Sequence, residues 1–269
     1  MNNKKTLIQI TVILLVSILV TNALSSLINR TFKRQTKHKI ETQVVLNLPQ
    51  IGKEVAAVTR TMPGQELLPG VPMNSDAAYV IVNDNHSFFT DEEKTDTDEF
   101  ISLKELDRLG RTQSTFSCLS PSLLPEEDRP DDMSSVTPSG WKQCNVKEQF
   151  GKTILDDGQE KEYLFERCHL QMFALTGITL DERNLFTGTL QCNQLMYDVV
   201  ERQLLNTVKN TKKNVLYRVT PVFVDNERIC RGVLMEGYSE DLLDFNIFIY
   251  NKQKGYVIDY YTSEVSLEK

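Results

Sequence analysis

Three histidines, a single tryptophan and no Cys-x-x-Cys pair set the first limits on what this chain can do. Five cysteines without paired spacing give no zinc signature and no disulfide framework. Twelve glycines and nine prolines in 269 residues exclude collagen-like and low-complexity architectures. A basic surplus is also missing. Thirty Lys and Arg against 37 Asp and Glu leave a net charge of -7, with a pI near 5.2. The chain as a whole is therefore no electrostatic magnet for nucleic acid, and such a role needs a local basic face or a metal ion. Only one hydrophobic run is long, which excludes a polytopic membrane protein. With that run set aside, one domain of ordinary size remains, large enough to bury its own core.

The long run extends from Thr6 to Asn29 without a charge and is rich in Ile, Leu and Val. At about 1.5 Å per residue, a helix of that length crosses a hydrocarbon core of roughly 30 Å. Lys4 and Lys5 supply the basic flank of a signal anchor or a signal peptide, and Thr21 and Ala23 offer a small-residue cleavage site. The length favours an anchor. Residues 1–29 thus read as a membrane address. Residues 30–76 read as a tether, basic at its start and then carrying Pro49, Gly52, Pro63, Gly64, Pro69, Gly70 and Pro72. Arg30, Lys33, Arg34, Lys37 and Lys39 outnumber the two preceding lysines, and the positive-inside rule alone keeps the C-terminal side cytoplasmic.

The globular part spans residues 77–269. Ala78–Asn83 reads as a strand, and Thr90 with Glu93 three residues on matches a capping box at the head of an acidic stretch. Thr112–Leu119, Gly140–Val146 and Tyr163–His169 are further strand candidates, and residues 120–139 form a Pro-, Asp- and Ser-rich loop. Asn193–Lys209 has helical spacing, with Leu195, Met196, Val199, Leu204 and Val208 as its apolar stripe. Four more strand candidates follow, Val215–Val224, Ile229–Tyr238, Phe245–Tyr250 and Tyr256–Tyr261, punctuated by Gly, Asn and Asp. Strands on both sides of the helix, without regular βα alternation, predict an α+β fold with an antiparallel sheet.

Chemistry-bearing residues concentrate between Glu166 and Glu201. His38 lies in the basic run and His86 in a polar loop, whereas His169 ends an apolar strand, in Glu166-Arg167-Cys168-His169. Asn193, Tyr197 and Glu201 follow at i, i+4 and i+8, within about 80° of each other on a regular helix. A carboxylate and an amide so placed suit a hard, oxygen-seeking cation, and a nearby imidazole can take a proton from attacking water. Arg167 is placed to neutralise an anionic substrate. On spacing alone, however, a histidine beside a cysteine on an apolar strand is more often a satisfied structural residue.

The blocks around these residues change that balance. ERCHLQMFALTG, then DERNLFTGTLQCN and VLYRVTPVF, closely resemble the DNA/RNA non-specific endonuclease family, in particular secreted and DNA-entry nucleases of Gram-positive bacteria. LDRLGR at Leu106–Arg111, PSGW at Pro138–Trp141 and IDYYT at Ile258–Thr262 extend the likeness from about Tyr79 to Ser263. The resemblance implies a ββα-metal fold, a central antiparallel sheet with flanking helices, and one Mg²⁺, replaceable by Mn²⁺. It implies His169 as general base, Asn193 as direct metal ligand and Glu201 as a ligand through water. Arg167 and Asn184 would contact or orient the substrate phosphate. DNA, and RNA as a second substrate, would be cut outside the membrane to products with 5′-phosphates. That expectation sides with export against the charge count.

Two positions depart from the family pattern. Glu166 stands where Asp or Asn is usual, and its longer carboxylate either reaches the metal's water shell or crowds it. Cys168 stands at the usual Gly; as a nucleophile it pairs poorly with His169, because adjacent strand residues point to opposite faces. Arg183, Arg202, Lys209, Lys212, Lys213 and Arg218 make a local basic concentration, read equally as a phosphate-tracking groove or a solvated face. Arg111 either approaches the site or makes a structural ion pair. Tyr197 reads as packed on the sheet, Trp141 as core, and the remaining cysteines as buried free thiols. Two functions stay open: a metal-dependent endonuclease, or a surface-anchored module on the same fold that binds nucleic acid or protein without turnover. The intact His169, Asn193 and Glu201 favour the enzyme.

Overall fold

The longest β-branched and aromatic runs become the centre of the sheet. The computed structural model describes residue 71 and residues 75–95, 97–129, 135–156 and 158–269. In chain order these form β1 (Tyr79–Ile81), α1 (Asp91–Thr95), β2 (Phe100–Leu103), β3 (Thr115–Leu119), α2 (Val146–Phe150), β4 (Ile154–Asp156) and β5 (Gln159–Lys161). Next come β6 (Phe165–His169), α3 (Phe173–Thr176), β7 (Leu185–Thr189), α4 (Leu190–Leu195), a π-helical segment (Met196–Glu201) and α5 (Arg202–Thr211). The chain closes with β8 (Val215–Val222), β9 (Gly232–Ser239), β10 (Leu243–Tyr250), β11 (Tyr256–Ile258) and β12 (Val265–Leu267).

Six strands make one antiparallel sheet in the order β1-β10-β9-β8-β3-β2. β9 is buried at all but one of its positions, as expected for a strand covered on both faces. β6 and β7 pair separately as an antiparallel ribbon, Arg167 opposite Thr187 and His169 opposite Leu185. α4 follows β7 directly and packs against β6, β7 and β10. The result is a mixed α/β fold with a central antiparallel sheet, and a ββα unit carries the residues of interest.

The Thr90–Glu93 capping box forms as expected: each residue's backbone N–H donates to the other's side chain, at 2.9 and 3.1 Å. Strand expectations differ from the structure in places. Gly140–Val146 holds no strand, because Gly140 turns the chain at φ +73 and Asn145 caps α2 by accepting from the N–H groups of Lys147 and Glu148. β2 arises inside the acidic stretch, where no strand was expected, with Phe100, Ile101 and Leu103 as its partly buried residues. All five cysteines are buried free thiols. The expected anchor and nearly all of the tether lie outside the described residues; among the described residues no helix is long and apolar enough to cross a membrane.

Candidate active site

The helix that bears Asn193 is pinned at its first turn. Thr189 caps it, its hydroxyl accepting from Cys192 N–H at 3.0 Å and donating to the Lys252 carbonyl at 2.8 Å. Such a cap contributes about 1 kcal/mol. The fully buried Asn251 holds the same corner. Its carboxamide accepts from Thr189 N–H and donates to the carbonyls of Thr187 and Cys230, at 2.9 to 3.0 Å. Gln253 accepts from Gln191 N–H. The start of the helix is thereby tied to β7 and to the end of β10.

The helix then loosens into a π segment. Arg202 N–H donates to the carbonyl of Tyr197, an i→i+5 bond in place of i→i+4. One such bulge adds a residue to the turn, so Glu201 occupies the azimuth of an i+7 position counted from Asn193. The angle between them falls to roughly 20° instead of the 80° of a regular helix. Asn193 and Glu201 therefore share a face, while the Tyr197 ring is 41% exposed and not packed on the sheet as the sequence suggested.

Glu201 meets His169 across this interface. His169 Nε2 lies 3.1 and 3.3 Å from the two Glu201 oxygens. The carboxylate is 1% exposed and the imidazole 21%, so the pair has a dry side and a wet one. Beneath it the fully buried Tyr217 hydroxyl has no hydrogen-bond partner among the described residues. Burial, then the Glu201 charge, pushes this phenol well above its ordinary range. It stays protonated and available as a neutral donor.

Alternation along β6 separates the other motif residues. Arg167 shares His169's side of the strand, while Cys168 and Glu166 point to the other. Cys168 is fully buried. A side chain at Gly188 would place its Cβ 2.3 Å from Cys168 Sγ. The glycine missing from the motif is thus supplied by the neighbouring strand. Burial pushes the Cys168 thiol well up, which removes it as a nucleophile. Glu166 is also pushed up, first by burial, then with Asp156 raising it and Lys161 and Arg167 opposing. It faces the β4–β5 hairpin.

Arg167 donates from Nε to the Val136 carbonyl at 2.7 Å, and its guanidinium lies 4.1 Å over the Trp141 ring. It makes no ion pair with a described carboxylate. Three of the other arginines singled out in the sequence are compensated. Arg111 is buried, bonded to Asp107 at 2.7 Å and to the carbonyls of Asp225 and Glu227. Arg183 pairs with Asp181 and Glu105, and Arg218 with Glu93 and Glu236. Arg202, 58% exposed, has only a 3.9 Å approach to Asp198. Asn184, expected at the phosphate, has a different position. It is fully buried, and its carboxamide pairs with the Gln171 backbone at 2.8 and 2.9 Å, turned to the chain and away from solvent. Trp141, read from the sequence as core, does pack against the cluster around Phe165 and Ile229, and its ring also carries the Arg167 guanidinium.

Among the described residues no group of three His, Cys, Asp or Glu could hold a metal ion. The donors on the shared helix face are the Asn193 amide, whose carboxamide hydrogen-bonds no described residue, and the Glu201 carboxylate. Two oxygen donors fit a hard cation that keeps most of its water, such as Mg²⁺, and do not make a four-ligand structural zinc site.

Residues 92–241 match the family model for DNA/RNA non-specific endonuclease. The fold is similar to that of NucA from Streptococcus agalactiae. The metal-free structure has TM-score 0.58 and 22% identity, covering 70% of this chain and 86% of that one. The magnesium-bound structure of the same protein gives TM-score 0.56 at the same identity and coverage. Sda1 nuclease with bound zinc gives 0.57 at 20% identity, covering 71% of this chain and 97% of that one. The family model spans more than half of the chain, and on that ground the protein belongs to the DNA/RNA non-specific endonucleases and is a nuclease enzyme.

Proposed function

We propose that this nuclease hydrolyses phosphodiester bonds of DNA, and RNA as a second substrate, with His169 as the general base. The observation that carries the reading is the His169–Glu201 contact: an imidazole nitrogen at 3.1 Å from a buried carboxylate, on a ring that keeps 21% of its surface exposed. His169 accepts the proton of the attacking water, and Glu201 stabilises the imidazolium that results. Arg167, on the same side of β6, binds a non-bridging phosphate oxygen. Asn193 directly, and Glu201 through water, would hold Mg²⁺ or Mn²⁺; when bound, the cation withdraws charge from the phosphoryl and leaving 3′-oxygens. Departure of that oxygen leaves a 5′-phosphate on the product. These contacts are to the backbone, so little base readout is expected.

Glu166 stands outside the reacting set in this reading, because it faces away from His169. Arg111, Arg183 and Arg218 serve the scaffold; Arg202, exposed one residue after Glu201, remains a phosphate contact. The domain acts outside the membrane, held by residues 1–29 or released by cleavage. Family likeness supports this, since a degradative nuclease facing the cytoplasm would threaten its own genome. Protease added to intact cells should remove the domain; survival of the domain while a known surface protein is cut would refute export. For the chemistry, the full-length protein should nick plasmid DNA with Mg²⁺ and lose that activity in EDTA and as His169→Ala. A wild type that only shifts DNA on a gel would replace the enzyme with a binding module.

A further inference from the structure

Among the described residues, Arg167 is held without a carboxylate partner. Its Nε–H goes to the Val136 carbonyl and its plane rests on Trp141, while no described residue hydrogen-bonds the two Nη nitrogens. A carboxylate in that place would hold the guanidinium equally well but would compete with a phosphate. An aromatic face fixes the plane and leaves the charge for the substrate.

The shelf itself is built with little freedom. Pro138–Trp141 is a four-residue turn closed by Trp141 N–H donating to the Pro138 carbonyl at 3.1 Å, with Gly140 at φ +73 in the position that requires it. A side chain at Gly140 would place its Cβ 2.7 Å from Ile229 Cγ1 and 3.0 Å from the Arg228 carbonyl group. The Gly140 carbonyl accepts from Ser263 Oγ at 2.7 Å and the Ser139 carbonyl from Thr187 Oγ1 at 2.9 Å. Thr187 is the cross-strand partner of Arg167. Shelf and guanidinium are thereby referenced to one pair of residues in the β6–β7 ribbon. Trp141 also packs against the core around Phe165 and Ile229.

We propose that Trp141 is a positioning residue that aims Arg167 at the substrate phosphate. This rests on the phosphate role given to Arg167 above. Loss of the shelf leaves the charge in place but lets it swing, so the effect falls on how well substrate and transition state are held.

The test is a double-mutant cycle on the full-length protein, cutting a defined duplex oligonucleotide with Mg²⁺. Trp141→Leu should lower kcat/KM roughly five- to thirty-fold, and Trp141→Phe should restore most of it. Arg167→Lys keeps the charge without the stacking plane, and in that background Trp141→Leu should cost nothing further. Equal losses in both backgrounds would overturn the proposal, because Trp141 would then act on the fold and not through Arg167. Wild-type kcat/KM in Trp141→Leu would overturn it as well. The chain's single tryptophan supplies a second readout that needs no Trp141 variant. Duplex added in EDTA should change the emission of the wild type, and Arg167→Lys should abolish that change. An unchanged response would overturn the proposal. If Arg167→Ala cut as well as the wild type, the phosphate role would fail instead, and the resting emission shift of that variant would still report the contact.

Discussion

His169 Nε2 stands within 3.3 Å of both carboxylate oxygens of Glu201, a residue eight positions beyond Asn193 that a π bulge rotates back onto the asparagine's face. A strand carries His169, and a helix carries Asn193 and Glu201. The one irregular turn in that helix aligns the two.

Glu201 is fully buried, and His169 is the only described residue that hydrogen-bonds its carboxylate. Glu201→Gln keeps the shape and removes the buried charge. Activity should fall by ~10–100-fold or more, while thermal unfolding should show a midpoint equal to or above that of the wild type. A variant that loses both activity and several degrees of stability would make Glu201 a structural residue.

Asn193 offers the amide oxygen of the proposed cation site. Asn193→Ala should raise the Mg²⁺ concentration needed for half-maximal cleavage by at least about ten-fold. A direct metal titration by calorimetry, without nucleic acid, should weaken in parallel. Unchanged metal dependence would remove Asn193 from the site.

Burial raises the Glu166 carboxyl above its ordinary value of 4.5. The folded protein therefore holds this proton at pH values where the unfolded chain has released it, and folding is penalised as pH rises through that window. Glu166→Gln removes the penalty. Its denaturant midpoint should match the wild type below about pH 4 and exceed it at pH 7. Cleavage should stay within a few-fold of wild type, since Glu166 faces away from His169. A gain confined to acid pH would contradict the burial account, and loss of cleavage would return Glu166 to the reacting set.

Tyr197 is the exposed ring one turn from Asn193. Tyr197→Ala should weaken binding of single strands, where an unpaired base can stack, by about five- to a hundred-fold. Duplex binding should change less. Equal effects on both would point to a backbone contact.

Much of the site was legible because β-strands alternate and motifs are local. Arg167 and His169 on one side of β6, with Cys168 on the other, follow from two-residue periodicity alone. Glu201 and Asn193 were singled out on one helix face about 80° apart, and the narrower angle was out of reach because helical spacing assumes 3.6 residues per turn throughout. Asn184, read as a phosphate contact, pairs with the Gln171 backbone in the fold, and a buried carboxamide satisfying a backbone looks the same in sequence as one that meets a ligand. β7 was missed because Gly188 interrupts a five-residue strand, and that glycine is explained only by the Cys168 side chain beside it. The arginines show a similar limit: charge is visible in sequence, whereas its compensation by Asp107, Glu93 or Glu236 is a property of the fold.

The most direct test of the account is chemical rescue of His169→Gly with imidazole, measured by plasmid cleavage in Mg²⁺. The glycine leaves room where the ring stood, so added imidazole should restore cleavage in proportion to its concentration. It should do nothing for Glu201→Gln. A folded His169→Gly variant that already cuts at the wild-type rate, or that imidazole never rescues, would contradict His169 as the base.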